Sequence, residues 1–254
     1  MKLALLSDIH ANSRALEACL SHAASLGVQR QALLGDLVGY GPEPALVTER
    51  VMALAAQGAI VLQGNHDAMA VNPPATVVTR GEEGAQWTHH QLSARQRAFL
   101  AGLPLSHAEG TLLLVHASAD DPGKWRYVDT ERAATASLDA AVLPPHGNPQ
   151  VRHVFGGHVH HQTLYYRGSG HKLMPFSPTP GVPIPTPRHR SWIATVGSVG
   201  QPRDGRADAM YAVFDTATMQ LTFHRVPYDH MAVAAASRAA GLPEHFAKRL
   251  ESGR

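Results

Sequence analysis

The feature that most constrains this chain is a series of short apolar runs, each followed by side chains that can bind metal. The first run, residues 3–10 with the sequence LALLSDIH, ends in an aspartate and a histidine. Later runs at 32–34, 59–62, 112–115 and 151–155 end in similar groups. The side chains at the five exits are Asp8 and His10, Asp36, Asn65 and His66, His116, and His158 and His160. Short apolar runs bounded by glycine and polar residues are typical of buried strands.

These side chains are expected to meet at one place. In open α/β sheets, ligands bind beyond the carboxyl ends of the strands. Asp8 and His10 are two positions apart, and alternate residues of a strand face the same side, so both can point at one ion or substrate group. The alternative for this pair is that Ser7 and Asp8 cap a helix that begins near residue 12 and that His10 is incidental. That alternative weakens when all five exits carry Asp, Asn or His.

The order of predicted elements indicates an α/β fold. The first half alternates strands with helices, including a helix over 13–26 and another over about 43–57, and such alternation predicts a parallel sheet. Strands at 192–196, 210–215 and 221–226 then follow one another, which predicts antiparallel pairing. A helical tail over about 230–249 is interrupted at 241–243. No linker with a shift in composition separates two cores, so we expect one domain over residues 1–254.

The segment 168–190 differs from the rest because it holds six prolines. Proline lacks the amide donor that a sheet interior requires. We therefore expect an extended excursion over the surface that is dispensable for the core, and that serves as a flap, an oligomer contact or an inert insertion.

Composition excludes some classes of protein. The formal net charge is only +2, which gives no strong signal for nucleic-acid binding. No run reaches the roughly 18–20 apolar residues of a membrane span. The first apolar run passes directly into Asp8 without a small-residue cleavage site, so we interpret it as a buried strand and expect a cytoplasmic protein. The single cysteine, Cys19, lies in an apolar helical pattern and is expected in the core.

Taken together, the motifs resemble those of the calcineurin-like metallophosphoesterases. The matching segments, in order, are Asp8-x-His10, Gly35-Asp36-x-x-Gly39, Gly64-Asn65-His66-Asp67, His116 and Gly157-His158-x-His160. The stretches GDLVGYGP at 35–42 and GSVGQPRD at 197–204 resemble a compact bacterial, phosphodiesterase-type branch of that family. The resemblance implies two facing mixed β-sheets flanked by helices, with a dinuclear metal site at their edge.

The resemblance also implies a role for each residue. One divalent ion would be held by Asp8, His10, Asp36 and His160, and the other by Asp36, Asn65, His116 and His158. His66 would face the substrate as a catalytic residue, with Asp67 orienting its ring. A carboxylate has two oxygens and can bridge two cations, which suits Asp36, and the mixed ligand set is compatible with Mn, Fe, Zn, Co or Ni. A metal-bridging hydroxide would then attack phosphorus in line.

The sequence departs from the family at the substrate pocket. Relatives that act on phosphoproteins or split dinucleoside tetraphosphates symmetrically carry Asp-Arg-Gly where this chain has Gly39-Tyr40-Gly41. The groups that could hold phosphate in place of that arginine are Lys124, Arg126 and Arg203, and a base could stack on Tyr40, Trp125 or Tyr127. The alternatives are that Trp125 and Tyr127 pack on the helix beginning near residue 130, and that Arg203 pairs with Asp204 or Asp208.

Three functions compete at this point. The first is a metal-dependent phosphoesterase, a phosphodiesterase or phosphatase, acting on a small phosphate ester or nucleotide. The second is a nuclease of the same superfamily, which would need a basic surface that the near-neutral charge does not provide. The third is a non-catalytic metal-binding protein, whose sign would be loss of Asn65 or His66, and both are present.

Overall fold

Two six-stranded mixed sheets form the centre of the computed structural model, which describes residues 1–168 and 172–254. The strands are β1 Lys2–Leu6, β2 Arg30–Leu33, β3 Ile60–Val61, β4 Ser106–Glu109, β5 Leu112–Val115, β6 His153–Gly156, β7 Gln162–Arg167, β8 Leu173–Phe176, β9 Ile184–Pro185, β10 Ser191–Val196, β11 Ala209–Asp215 and β12 Gln220–Val226. Eight α-helices of the described residues flank them: α1 Ser13–Ser25, α2 Pro44–Ala56, α3 Asn65–Val71, α4 Ala85–Gln91, α5 Ala94–Ala101, α6 Glu131–Ala141, α7 His230–Ala239 and α8 Glu244–Ser252. The predicted fold class is confirmed.

The strand order places the strands that precede metal-capable side chains next to one another, so that their ends lie at the same edge of each sheet. The first sheet has the order β3-β2-β1-β11-β12-β9 and the second β4-β5-β6-β10-β7-β8. Strands β1, β2 and β3 run parallel to one another, as do β5, β6 and β10. The five strands that precede the metal-capable side chains therefore end together within each sheet, as predicted from the strand–helix alternation.

The first strand shows why the apolar runs carry no polar residue. Leu3 and Leu5 point into the core between the sheets, with Phe155 of β6 and Trp192 of β10. Alternate residues Ala4 and Leu6 point to the other face, where they pack against the helical layer. Both faces of β1 are buried, which is typical of a parallel sheet covered on both sides.

Helix α1 follows from its sequence as predicted. The Asn12 side chain accepts a hydrogen bond from the Ala15 N–H at 3.0 Å, which caps the helix start. Its buried face consists of Ala15, Leu16, Cys19 and Ala23, so the cysteine is a free core residue. No helix in the described part of the chain is long and apolar enough to cross a bilayer.

Two elements were not expected from the sequence. Helix α3 begins at Asn65, inside the metal-capable motif, and extends to Val71. The short strand β4 precedes β5 and pairs with it antiparallel at the edge of the second sheet. It has only four residues, two of them exposed, and no apolar run marks it.

The proline-rich segment corrects one expectation. Residues 169–171 lie outside the described residues, and the rest keeps clear of sheet interiors, as the prolines predict. However, β8 and β9 are edge strands, and Leu173 and Ile184 are buried in the core clusters. Thr186 is fully buried, and its N–H donates to the Met219 carbonyl at 2.7 Å. The segment therefore contributes buried side chains to the core.

Candidate metal centre

The backbone at the strand exits adopts a left-handed conformation. Strand β1 ends at Leu6, and φ is +54° at Asp8 and +49° at His10. Asp36, His158 and His160 also have positive φ. Asp8 and His10 therefore converge through this left-handed backbone. We had expected them to converge because alternate residues of a strand face the same side. Such a conformation costs about 1–2 kcal/mol per non-glycine residue, and its clustering here indicates a functional site.

Hydrogen bonds between neighbouring exits hold this backbone. The Asp8 N–H donates to the Gly35 carbonyl at 3.1 Å, and the His10 N–H donates to the Asp36 carbonyl at 2.9 Å. Gly64 lies so close to this pair that a Cβ on it would be 2.3 Å from the Asp36 nitrogen. These contacts hold the loops after β1, β2 and β3 against one another.

The first cluster of side chains consists of Asp8, His10 and His160, all of them buried. Asp8 Oδ1 lies 3.3 Å from His160 Nε2 and 3.8 Å from His10 Nε2. The two imidazole Nε2 atoms are 3.1 Å apart. Ligand atoms from two strand exits, those after β1 and β6, therefore surround one point.

The second cluster consists of Asp36, His116 and His158. Asp36 Oδ2 is 3.3 Å from His116 Nε2 and 3.8 Å from His10 Nε2 of the first cluster. The Asn65 Oδ1 atom lies 3.3 Å from His116 Nε2. The structure thus brings together all seven side chains for which the resemblance implies a ligand role, and Asp36 faces both clusters.

Backbone carbonyls orient three of the histidines. The Nδ1 atoms of His10, His116 and His160 lie 3.2, 2.9 and 2.6 Å from the carbonyl oxygens of Val38, Leu34 and Gln201 respectively. A carbonyl can only accept, so each Nδ1 carries the proton, and each Nε2 of the neutral ring presents a lone pair to the cluster. Such a partner on the other ring nitrogen is the usual arrangement for a metal-ligating histidine.

The donor set fits divalent cations. Asp8 Oδ1 is buried and has no hydrogen-bond partner, although such groups are rarely left unsatisfied. The lone pairs of His10 Nε2 and His160 Nε2 face each other at a distance that a shared cation would make favourable. Carboxylate, amide and imidazole donors together suit transition-metal ions.

The charges of the cluster favour ionised carboxylates. Burial opposes ionisation of Asp36, but the neighbouring His116 and His66 outweigh it and hold the pKa of Asp36 well below its usual range. Burial also opposes the charged form of His116, yet Asp36 raises the pKa of His116 to about 9. Burial, followed by the charge of His116, lowers the pKa of His158 to about 4. Without metal, the proton on His116 supplies part of the compensating positive charge.

His66 lies at the mouth of this cluster, while Asp67 differs from our expectation. The imidazole of His66 packs on Gly39 and stands edge-on to the His10 ring, 5.0 Å between centroids. Burial lowers the pKa of His66 to about 4, which keeps the ring neutral. The Asp67 carboxylate accepts backbone N–H groups of Leu37 at 2.9 Å and Gly64 at 2.9 Å and does not bond the His66 ring. It therefore ties two exit loops together instead of orienting His66.

A cleft of about 650 Å³ opens over the clusters. Its lining includes Tyr40, Trp125, Tyr127 and Arg203. Tyr127 stacks on His158, 4.2 Å between ring centroids, and is half exposed. Trp125 meets His116 edge-on at 5.8 Å. The two aromatic rings thus form one wall of the cleft, next to the second cluster.

The three basic side chains that were candidates for holding phosphate differ in whether they line the cleft. Arg126 pairs with Asp120 and Lys124 pairs with Asp121, and neither lines the cleft. Arg126 is therefore not brought to the site, since the nearby acidic loop residue holds it. Arg203 does line the cleft, because the carboxylates that could have held it are paired elsewhere, Asp204 with Arg225 and Asp208 with Arg206.

Sequence reasoning missed parts of the cleft that come from distant segments. Thr79, Gly81 and Glu82 line it from the loop between α3 and α4. Burial raises the pKa of Tyr40, and the charges of Arg203 and of Arg249 in α8 oppose that rise. The only signal for the helix was its amphipathic pattern, which does not specify the partner it packs against.

Comparison with known proteins agrees with this geometry. A model of the calcineurin-like phosphoesterase superfamily domain matches residues 1–219. The crystal structure of a metallophosphoesterase from Sphaerobacter thermophilus is also similar, with a TM-score of 0.84 and 34% sequence identity. The match covers 100% of this chain and 99% of the Sphaerobacter chain.

Two archaeal proteins are also similar over nearly their whole length. The uncharacterized protein MJ0912 of Methanocaldococcus jannaschii is 27% identical over 260 residues, covering 99% of this chain and 98% of its own. The crystal structure of the hypothetical protein PH1004 from Pyrococcus horikoshii OT3 shares the fold, with 19% identity, a TM-score of 0.77 and coverage of 100% and 98%. With two buried Asp/His clusters at the shared sheet edge and a family match over most of its length, the chain belongs to the calcineurin-like phosphoesterase superfamily.

Proposed function

We propose that this protein is a dinuclear metal-dependent phosphoesterase that hydrolyses a small phosphodiester or nucleotide. The observation that carries the proposal is the position of Asp36, whose Oδ2 lies 3.3 Å from His116 Nε2 and 3.8 Å from His10 Nε2. One carboxylate oxygen that faces two separate donor clusters is the arrangement that two neighbouring cations require.

The proposed ligands follow the two clusters. Asp8, His10, Asp36 and His160 would hold one ion, and Asp36, Asn65, His116 and His158 the other. Mn, Fe, Zn, Co and Ni are all compatible with these donors. Two such ions would supply Lewis acidity toward the phosphoryl group and lower the pKa of water between them.

His66 is the proposed catalytic side chain, acting on the substrate and not on the metals. Its ring lines the cleft and is held in place by Gly39 on one side and Tyr40 on the other, 4.3 Å between ring centroids. The neutral imidazole there can donate an N–H hydrogen bond to a phosphoryl oxygen and so stabilise the negative charge that develops in the transition state. Asp67 supports it indirectly, by fastening the loop that carries Val38 and Gly39.

The walls of the cleft support a nucleotide-like substrate. Tyr127 and Trp125 offer aromatic faces on which a base can stack, worth about 1–3 kcal/mol per base. Arg203 lines the opposite part of the cleft beside Tyr40, its Cζ 5.6 Å from the ring centroid. A planar guanidinium can bind a phosphate group through two parallel hydrogen bonds.

A hydrolysis screen tests the proposal. The purified chain is stripped with a chelator, reloaded separately with Mn, Zn, Co or Ni, and assayed against phosphomonoesters, bis-p-nitrophenyl phosphate and nucleotide esters. We expect hydrolysis only after reloading, with diesters and nucleotide esters preferred. Metal-independent hydrolysis, or full metal binding without turnover of any ester, would contradict the proposal, and the second result would favour a non-catalytic metal-binding protein.

A further inference from the structure

The C-terminal helix α8 reaches the cleft through Tyr40. Phe246 of α8 meets the Tyr40 ring edge-on, 4.9 Å between centroids, and both rings belong to one buried cluster. Arg249 follows Phe246 by three positions, so it shares the helix face that meets Tyr40. The last turn of α8 therefore carries a guanidinium group toward Tyr40, which lines the cleft.

A backbone contact places Arg249 beside Arg203. The Gly205 N–H, two residues after Arg203, donates to the Gly253 carbonyl just beyond α8 at 2.8 Å. This bond holds the end of the helix against the loop that carries Arg203. The two arginines thus reach Tyr40 from the two segments that this bond joins.

The two guanidinium groups lack acidic partners. Among residues 1–168 and 172–254, neither Arg203 nor Arg249 forms an ion pair with a carboxylate. Arg203 donates to Gln201 Oε1 at 2.9 Å, while its Nε is buried and has no hydrogen-bond partner.

The carboxylates nearest in sequence are occupied. Asp204 and Asp208 pair with Arg225 and Arg206, and Glu244 and Glu251 of α8 both pair with Arg238. Burial, and then the positive charge of Arg203, lowers the pKa of Arg249, with Arg80 adding to the repulsion. Like charges held together without a counter-charge are a favourable place for an anion.

We propose that Arg203 and Arg249 form a second anion site beside Tyr40, which binds a second phosphate or carboxylate of the substrate. The inference rests on the proposed phosphoesterase function. The ring of Tyr40 contacts both His10, 4.7 Å between centroids, and Arg203, whose Cζ is 5.6 Å from the ring centroid. The scissile phosphate would lie at the metals, and the second anionic group would lie beside that ring. The substrate class is therefore a phosphate ester that carries another anionic group.

A matched pair of esters tests the site through activity. Thymidine 5′-(p-nitrophenyl phosphate) and its 3′-phosphorylated counterpart differ by one phosphate, and kcat/KM is measured for both. The wild type should prefer the bisphosphate. Hydrogen bonds between charged groups are worth about 1.5–3 kcal/mol, so Arg249→Gln and Arg203→Gln should each reduce this preference by about 10- to 100-fold. Arg249→Lys should retain part of it.

A binding measurement separates this inference from the proposed function. The metal-free protein is titrated with thymidine 5′-monophosphate and with thymidine 3′,5′-bisphosphate, and Arg249→Gln should lose only the preference for the second. The control is Arg190→Gln, because Arg190 also lies over a tyrosine ring, 5.0 Å from the Tyr166 centroid, but away from the cleft. Thermal unfolding checks that α8 remains packed in each variant.

The possible results are distinct. Equal affinity of the wild type for the two nucleotides would overturn the second site. Equal losses on both nucleotides in Arg249→Gln would also overturn it, since Arg249 would then support the fold or the main phosphate position. If neither ester is hydrolysed but the bisphosphate still binds through Arg249, the anion site stands and the phosphoesterase proposal fails.

Discussion

The strand-exit loops and the proline-rich segment 172–190 are both irregular over much of their length, yet they are built in opposite ways. The exit loops bury charged and polar side chains and hold non-glycine residues such as Asp8, Asp36 and His160 at positive φ. The proline-rich segment runs along sheet edges and exposes apolar side chains such as Val182 and Phe176.

The difference lies in what restrains each segment. Several contacts restrain the backbone of the exit loops. Backbone hydrogen bonds join the loops after β1 and β2, and Gly64 lies so close to Asp36 that a Cβ on it would collide. Only such a framework can keep several unfavourable conformations and buried carboxylates in place. The proline-rich segment is held at a few points, chiefly Leu173, Ile184 and Thr186, and proline itself restricts the rest. Strain is therefore concentrated where the proposed chemistry requires convergent ligands.

The largest expected effect concerns catalysis in the exit loops. His66→Ala should reduce kcat by about 10²–10³-fold, the usual cost of removing one hydrogen-bond donor to the transition state, while metal content stays unchanged. Steady-state kinetics with bis-p-nitrophenyl phosphate and metal analysis measure the two quantities. The control is His189→Ala, an exposed histidine of the proline-rich segment. Loss of metal from His66→Ala would show that His66 is a ligand.

Substituting one glycine in each region tests how tightly the backbone of that region is packed. A Cβ on Gly64 would lie 2.3 Å from the Asp36 nitrogen, whereas a Cβ on Gly181 has nothing within 4 Å. Gly64→Ala should lower the free energy of unfolding by about 3 kcal/mol or more. Gly181→Ala should lower it by about 1 kcal/mol, because φ is +81° there. Urea unfolding of the metal-free protein measures both, and equal effects would remove the contrast.

A smaller effect tests the anchoring of the proline-rich segment. Ile184 is 8% exposed and packs in the core between the sheets, while its near neighbour Val182 is 50% exposed. Ile184→Ala should destabilise the fold by about 2–3 kcal/mol and Val182→Ala by less than about 0.5 kcal/mol. If Ile184→Ala has no effect on urea unfolding, the segment is an inert excursion, as the sequence had suggested.

Apolar runs and turn residues were sufficient to predict most of the fold. Strand β1 and helix α1 were predicted from a buried apolar run and an apolar helical face, and the strand–helix alternation predicted the parallel pairing of β1, β2 and β3. Helix α3 was missed because its first turn is the motif Asn65-His66-Asp67, where polar side chains obscure the helical pattern. The edge strands β8 and β9 were missed because their prolines disfavour pairing, and only an edge tolerates them.

The composition of the site could be predicted, but its geometry could not. The seven side chains of the two clusters were expected together, whereas the left-handed backbone that brings Asp8 and His10 together has no sequence signal in non-glycine residues. Asp67 bonds to backbone amides of two loops, and Arg126 is held by Asp120, because side-chain partners depend on the folded surroundings. Arg249 contacts a residue more than two hundred positions earlier, which periodicity cannot reveal.

The proposed role of Asp36 between two ions is the central claim, and metal stoichiometry tests it most directly. Three proteins are reloaded with Mn²⁺: the wild type, Asp36→Asn and the control Asp139→Asn. The control replaces an exposed carboxylate that pairs with Arg167. Mass spectrometry then measures the metal bound to each protein. We predict two equivalents per chain for the wild type and the control. Asp36→Asn should retain less than any other single-ligand variant, because it alone faces both clusters. Two full equivalents in Asp36→Asn, or none in the wild type, would contradict the account.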